Sequence, residues 1–331
     1  MTIFIAGISA LQLLVSNGSP QRRVLGQGKY LSFSPTRKAP RLGNVPDASA
    51  VKELGYPDGV CTEKLHVNVA SKDDRSQSTQ IINHIWNGPD RGTYLQVDDH
   101  YCVMAPEAVF AQMAAELSLV HLVELGMLLC GTYAPSSYDL PTRYNVEPLT
   151  TTKKLAAYLN RLERKHGLRN ARMAMHYVQD DSASPMESKI ATALALPTRY
   201  GGYGIPAQLN VELELTDRAR GRGYHKVRKP DFLWPNQHLS MDYDSREYHD
   251  LTQQSEADES RRNELSALGI NCIVARSKDF RDQLAFEQLM EQLRSALGKT
   301  VASKTKGLPD KRAALYQQLF GSRQWNPMDQ R

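Results

Sequence analysis

The sequence predicts an α/β protein in which an α+β N-terminal domain precedes an α-β-β-β-α-β core in the C-terminal half. Its length of 331 residues is enough for two or three domains. Apolar and polar residues alternate in several short runs, which predicts strands, and apolar stripes at helical spacing predict helices between them. A composition of 41% apolar and 23% charged residues is typical of globular proteins.

Residues 1–135 are predicted to form the N-terminal domain. The alternation from Leu65 to Val69 predicts a strand. Two further strand-like runs between Tyr94 and Met104 are separated by polar residues and predict a β-hairpin. Pro106 occupies a position typical of the first turn of a helix, and apolar residues at helical spacing continue from there to about Gly131.

A new run of elements begins at Ser184. The segment Ser184-Pro185-Met186-Glu187 is a capping box with proline at the first helical position, which predicts a helix to about Leu196. The predicted elements that follow are strands at 207–215, 225–234 and 238–243, a helix at 253–268 stopped by Gly269, a strand at 270–275 and a helix at 279–297. The predicted limits of the remaining parts are a linker and helical connection at 136–183, the core domain at 184–298 and a basic tail at 299–331.

Three acidic residues fall on two neighbouring predicted strands. If the chain turns at Asn236-Gln237, Asp231 lies directly opposite Asp242, and Asp244 shares the face of Asp242 because side chains alternate along a strand. Like charges opposed across a strand pair repel each other, so a cation between them would stabilise the arrangement. Clustered carboxylate oxygens suit Mg²⁺ or Mn²⁺. The alternative is that these acids bind no cation and simply form a solvent-exposed face of the hairpin.

A basic run that includes two glycines precedes these acids. Its members are Arg218, Arg220, Arg222, Lys226, Arg228 and Lys229. Contacts from lysine and arginine to phosphate dominate non-specific affinity for nucleic acid, so this run is predicted to hold a phosphate backbone beside the carboxylates. The alternative is a solvated loop between two strands.

Composition limits the class of partner and the compartment. The net charge of +5 permits a nucleic-acid partner without requiring one. The four cysteines are scattered without a Cys-x-x-Cys pair, which argues against a zinc finger or a disulfide scaffold and favours a reducing cytoplasm. The first residues lack a basic segment, so we expect no signal peptide, and no apolar run has the length of a membrane span.

The order of elements and acids in the C-terminal half resembles the PD-(D/E)XK nuclease superfamily, in particular its branch related to very-short-patch-repair endonucleases. The resemblance covers roughly residues 184–280. The matching positions are Glu187, Asp231-Phe232, Asp242-Tyr243-Asp244-Ser245, His249, Asp258 with Arg261, and Leu265 to Gly269. Asp242 and Ser245 replace the usual Glu and Gly, and Asp244 stands where the superfamily has its catalytic Lys, which this branch also commonly lacks.

The resemblance implies a restriction-endonuclease-like core that hydrolyses DNA with Mg²⁺ or Mn²⁺. Asp231, Asp242 and Glu187 would hold the metal, His249 would assist proton transfer, and Asp244 would orient His249 or support the metal. Asp258 and Arg261 would brace the site. Ordinary structural roles stay open for the same residues: Glu187 as a capping residue, Asp244 as a turn residue, His249 as a surface histidine, and Asp258 with Arg261 as a helix ion pair.

The N-terminal part, about residues 1–135, resembles AbiEi-type antitoxin-like proteins. The matching pieces are Leu65-His66-Val67-Asn68-Val69, the Asp98-Asp99 hairpin and the helix that begins at Pro106. This resemblance implies a second class of function, a DNA-binding regulator with a catalytically degenerate nuclease fold. It also implies a third, a protein that binds a partner encoded nearby in a defence or toxin–antitoxin system.

Overall fold

The chain divides into two compact units, and both contain helices and sheets, which confirms the α/β class. A computed structural model describes residues 3–15, 30–32, 64–69, 71–75, 79, 81–86, 91–96, 101–136, 141–214, 227–245, 263–299 and 305–327. The N-terminal unit comprises Met1–Asp180 and Trp325–Arg331, and the C-terminal unit comprises Asp181–Gln324. None of the helices in these ranges combines the length and apolar character that crossing a membrane requires.

The N-terminal unit is built on a six-stranded mixed sheet. Its described elements are β1 Ile3–Ile5, α1 Gly7–Val15, β2 Tyr30–Ser32, β3 Leu65–Val69, β4 Ile81–Ile85, β5 Arg91–Gln96, β6 Tyr101–Met104, α2 Pro106–Met113, α3 Leu119–Cys130, β7 Tyr133–Ala134, β8 Arg143–Tyr144, α4 Thr152–Asn160 and α5 Leu168–Ala174. The strand order is β2-β5-β6-β1-β3-β4, with β1 parallel to β6 and antiparallel to β3. The predicted strand β3 and the predicted antiparallel pairing of β5 with β6 are both confirmed, and the residues 97–100 between β5 and β6 lie outside the described ranges.

The apolar stripe that begins at Pro106 forms two helices, so the expectation of one helix to Gly131 is wrong. Helix α2 ends at Met113, and the hydroxyl of Ser118 accepts the N–H of His121 to start α3. The Asn170 amide donates to the carbonyl oxygens of Ala114 and Leu117, at 3.1 and 3.0 Å. Carbonyls at the end of α2 therefore have a side-chain partner, which stabilises the break between the helices.

A buried chain of hydrogen bonds joins α1, α2 and the sheet. The Gln112 side-chain oxygen accepts the N–H of Gly7 at 2.8 Å, and its amide donates to the Asn68 oxygen at 2.9 Å. The Asn68 amide in turn donates to the Tyr94 hydroxyl at 2.9 Å. Because these groups are buried, the bonds satisfy polar atoms that would otherwise be costly to remove from water.

Two histidines on neighbouring strands form a second polar contact in this unit. The Nδ1 atom of His66 on β3 lies 2.9 Å from the Nε2 atom of His84 on β4. Burial, and secondarily the neighbouring His84, lowers the pKa of His66 to about 4. Burial also lowers the pKa of His84, although the nearby Glu116 carboxylate opposes that shift. The pair is therefore uncharged at neutral pH.

Residues from near the end of the chain complete the N-terminal unit. The side-chain amide of Gln12, which is buried in α1, donates to the carbonyl of Pro327 at 3.1 Å. The ring of Trp325 stacks near that of His121, with 6.4 Å between centroids. Helices α4 and α5, from the stretch predicted as a linker and helical connection, pack against α2 and α3 in this unit.

The C-terminal unit contains a four-stranded sheet and its flanking helices. Its described elements are α6 Pro185–Ala195, β9 Gln208–Leu209, β10 Leu213–Glu214, β11 Val227–Arg228, β12 Phe232–Trp234, β13 Leu239–Asp244, β14 Asn271–Arg276, α7 Gln283–Ala296 and α8 Leu308–Leu319. The sheet order is β14-β13-β12-β9, with β13 and β14 parallel and the other pairs antiparallel. Strands β10 and β11 form a separate antiparallel pair.

Most predicted elements of this unit are present, with limits that differ by one or a few residues, and residues 253–262 of the predicted helix 253–268 lie outside the described ranges. The Ser184 hydroxyl caps α6 by accepting the N–H of Glu187, as the capping box predicts. The N–H of Gly269, which has a φ of +72°, bonds to the Ser266 carbonyl after the helical residues 263–267. The predicted strand 207–215 is divided into β9 and β10, and 225–234 into β11 and β12.

Helix α8 lies within the stretch predicted as a basic tail, and it contributes to the core of the C-terminal unit. Tyr316 is buried, and its hydroxyl donates to the carbonyl of Phe280 at 3.0 Å. The ring of Phe320, which follows α8, lies 5.3 Å from that of Phe280 and 5.0 Å from that of Phe286. Aromatic contacts with Phe280 and with Phe286 of α7 therefore hold α8 in the C-terminal unit.

Candidate functional site

Asp231 and Asp242 lie opposite each other at the end of the β12–β13 pair. Phe232 pairs with Met241, so the next position in register brings Asp231 to Asp242. The Asp231 carboxylate accepts the N–H of Tyr243 at 2.7 Å, and the Asp242 carboxylate accepts the N–H of Asp231 at 3.2 Å. Backbone N–H groups thus fix both acids in the juxtaposition that the strand alternation predicts.

The hairpin itself explains why the two acids meet. A single 3₁₀ turn at Pro235–Gln237 connects the strands, and His238 completes the reversal in the left-handed conformation, with a φ of +49°. Phe232 and Met241 are both completely buried and hold the strand pair in register. A shift by one residue would turn these side chains out of the core, so burial selects the register that pairs the acids.

Glu187 is buried at the start of α6, and its carboxylate accepts hydrogen bonds from two groups. One oxygen accepts the N–H of Ala183 at 2.9 Å and the side-chain amide of Asn210 at 2.7 Å. In a capping box, this carboxylate would bond back to the backbone N–H of Ser184. It instead accepts the N–H of Ala183, one residue before the cap. The capping role and a site role use the same carboxylate group.

Asn210 connects the helix acid to the strand acid, and sequence reasoning did not identify it. Its N–H donates to the carbonyl of Asp231 at 3.2 Å, while its amide donates to Glu187 and to the carbonyl of Asp181 at 2.9 Å. Its φ of +50° lies in the left-handed region, which asparagine tolerates better than most residues. That preference, at a position inside the predicted strand 207–215, is the signal that could have indicated a break in the strand there.

We expect Asn210→Ala to lower the free energy of unfolding of the C-terminal unit by about 2 kcal/mol. The cost combines the strain of alanine in the left-handed region with the loss of two bonds from the amide. Chemical denaturation measures it. Asn210→Gly is the matched control, since glycine adopts this backbone without strain and should recover about half of the loss. An Asn210→Ala protein as stable as the wild type would contradict the connecting role.

Two of the predicted phosphate-binding residues lie in the described part of the chain. The Arg228 side chain on β11 is 17% exposed, and its Nε atom lies 3.6 Å from a Glu264 carboxylate oxygen. Glu264 itself is buried within the helical residues 263–267. Lys229 is exposed. The structure thus joins Arg228 to the helix before β14 and leaves the Lys229 side chain in solvent.

A thiol on β14 borders the acid pair. Cys272 pairs with Ser240, two residues before Asp242 on the parallel strand β13. Burial, followed by the Asp242 carboxylate, raises the pKa of the Cys272 thiol to about 11, and Arg228 opposes this shift. The thiol is therefore protonated at neutral pH, which makes it a neutral neighbour of the acids.

Of the remaining predicted site residues, the structure describes one and leaves seven outside the described ranges. Asp244 ends β13 in register with Arg276 and is half-buried. Seven residues lie outside the described ranges: Arg218, Arg220, Arg222, Lys226, His249, Asp258 and Arg261. Their predicted roles therefore stay predictions, and the described site consists of Asp231, Asp242, Glu187 and Asn210.

The donor set of the acid pair fits a hard divalent cation. Carboxylates are the oxygen ligands that Mg²⁺ and Mn²⁺ take, and like charges at opposed positions of a strand pair favour a bound cation. Among the described residues, no three His, Cys, Asp or Glu side chains are grouped so as to hold a metal ion. Asp231 and Asp242 are direct neighbours, whereas Glu187 reaches them through Asn210.

Comparisons with protein-family models, with curated proteins and with solved structures find no match for this chain.

Proposed function

We propose that the C-terminal unit is a metal-dependent endodeoxyribonuclease with a PD-(D/E)XK-type core. The observation that carries this proposal is the acid pair, Asp231 beside Asp242, with the buried Glu187 attached to the same strand end through Asn210. Two acids on adjacent antiparallel strands and one on a preceding helix are the arrangement that the proposed chemistry needs.

The topology of the unit supports the proposal. Helix α6 comes first, the antiparallel strands β9, β12 and β13 follow, and β14 joins β13 in parallel after the helical residues 263–267. A parallel pair needs a crossover connection, and the helical residues lie within it. Apart from the separate pair β10–β11, which lies between β9 and β12 in the chain, this order agrees with the α-β-β-β-α-β order that the resemblance implies.

Each described residue has a definite task in the proposed reaction. Asp231 and Asp242 would hold the cation, and the backbone N–H groups that bond to them keep both carboxylates in place. Asn210 fixes the position of the Glu187 carboxylate, which would complete or polarise the metal shell. The Mg²⁺ or Mn²⁺ ion, when bound, supplies charge neutralisation at the phosphate and lowers the pKa of a coordinated water. His249 is proposed to assist proton transfer.

Manganese binding tests the metal site directly. Isothermal calorimetry compares the wild type with the double variant Asp231→Asn/Asp242→Asn, which keeps side-chain oxygens able to accept the backbone N–H groups. We expect one binding event in the wild type and none in the double variant. The control is Glu291→Gln, which removes one exposed carboxylate from α7 and should bind as the wild type does. A folded wild type that binds no Mn²⁺ would overturn the proposal.

One observation favours a second candidate, a DNA-binding regulator with a degenerate nuclease core. Asp244 occupies the position where the superfamily has its catalytic Lys, and it stands half-buried at the end of β13. An acid there cannot supply the positive charge that a lysine would. Operator binding that is equally tight in EDTA and in Mg²⁺, together with intact DNA after prolonged incubation, would favour the regulator over the nuclease.

A further inference from the structure

Helices α4 and α5 and the connection between them concentrate positive charge on the N-terminal unit. Residues 152–174 contain seven of the 41 Lys and Arg residues of the chain and one of its 36 Asp and Glu residues, Glu163. The rest of the chain is therefore close to neutral. Surface helices normally mix both signs, since opposite charges three or four residues apart stabilise a helix. This segment departs strongly from that pattern.

The cations of this segment lie on its exposed surface. Six basic side chains are exposed: Lys153, Lys154, Arg161, Arg164, Arg169 and Arg172. The other exposed residues of α4 are Ala157 and Asn160, so the outer side of this helix carries no acid. A surface of this composition attracts a polyanion and is repelled by other cations.

Two of these cations are held in place by neighbouring groups. The Arg161 guanidinium lies 5.2 Å from the centre of the Tyr158 ring. The Arg172 guanidinium donates to the carbonyls of Leu159 and Leu162, at 3.4 Å each. Side chains that are already ordered lose less conformational entropy when they bind a phosphate, so fixed cations bind better than freely moving ones.

We propose that this surface of residues 152–174, here named the basic face, binds the phosphate backbone of duplex DNA. The choice of DNA as the polyanion rests on the nuclease function proposed above. The five exposed large hydrophobic side chains in the described ranges, Ile82, Ile85, Tyr144, Val227 and Leu284, all lie outside the basic face. A helix that lies in a membrane surface inserts such apolar side chains, so a phosphate backbone fits the basic face better than a lipid bilayer does.

The test is DNA binding in the presence of EDTA, where metal-dependent cleavage cannot proceed. Fluorescence anisotropy with a labelled duplex of about 30 base pairs gives the dissociation constant over a series of salt concentrations. The variant is Lys153→Gln/Lys154→Gln/Arg169→Gln. We expect its salt dependence, the slope of log K against log salt, to be smaller by about 2 to 3, and its affinity at about 0.1 M salt to fall about 10- to 100-fold.

A matched control separates the basic face from net charge alone. Lys64→Gln/Lys72→Gln/Arg75→Gln removes the same charge from exposed positions of the same unit, where Asp73 and Asp74 lie between two of the cations. This control should bind DNA nearly as the wild type does. Equal losses in both variants, no DNA binding by the wild type, or preferential binding to anionic phospholipid vesicles would overturn the proposal. Because EDTA stops cleavage, the binding result stands whether or not the nuclease function proves correct.

Discussion

The Asp231→Asn protein is expected to fold as the wild type does and to cleave duplex DNA at least about 10³-fold more slowly in Mg²⁺. The amide oxygen of asparagine can still accept the N–H of Tyr243, so the strand end keeps its geometry. What is lost is one of the two negative charges that would hold the cation. A plasmid-nicking assay under single-turnover conditions measures the rate, and thermal unfolding checks the fold.

The control for this cleavage assay is again Glu291→Gln, because Glu291 is an exposed carboxylate of the same unit and lies on α7, not on β12 or β13. Its rate should equal that of the wild type. If Asp231→Asn cleaves DNA as fast as the wild type does, Asp231 is not a ligand of the reaction, and any observed cleavage belongs to another site or to a contaminant.

Acid is expected to destabilise the N-terminal unit by up to about 3 kcal/mol between pH 6.5 and pH 4. The unfolded chain takes up a proton at His66 near the ordinary pKa of 6.5, whereas the folded chain does so only near 4. The unfolded state therefore binds more protons in this interval. The contribution of His66 is complete above pH 6.5 and is lost as the pH falls through this window, and the lowered pKa of His84 acts in the same direction.

Hydrogen exchange measured by mass spectrometry reports this loss in peptides from α1 and α3, so the N-terminal unit is observed separately. His66→Gln removes the group that titrates, and its stability should change less between pH 6.5 and pH 4. The control is His166→Gln, which replaces an exposed histidine and should keep the wild-type pH profile. Parallel profiles for wild type and His66→Gln would show that the pair does not cause the acid sensitivity.

Features fixed by neighbours in sequence could be predicted from the sequence. The Ser184 cap depends on a residue three positions away, and the meeting of Asp231 with Asp242 depends on one tight turn and on strand alternation. Gly269 lies next to the helix end that it stops. In each case local geometry allows few alternative structures, so residue type and spacing were sufficient to predict the feature.

Features that depend on tertiary packing could not be predicted in this way. The break between α2 and α3 is stabilised by Asn170, more than 50 residues later in the chain. The contact of Asn210 with Glu187 requires the segment after α6 to return to the start of that helix. The pairing of His66 with His84 depends on the parallel pairing of β3 and β4. Residue type alone does not indicate which distant residues these side chains contact.

The contact of Gln12 with Pro327 has a consequence for synthesis of the protein on the ribosome. The two residues are 315 positions apart, although both belong to the N-terminal unit. At a translation rate of roughly 5 to 20 residues per second, Pro327 is added about 15 to 60 s after Gln12. The first unit to be synthesised therefore receives its last partner only after the whole second unit has been made. During that interval the Gln12 amide of the nascent chain is without this acceptor.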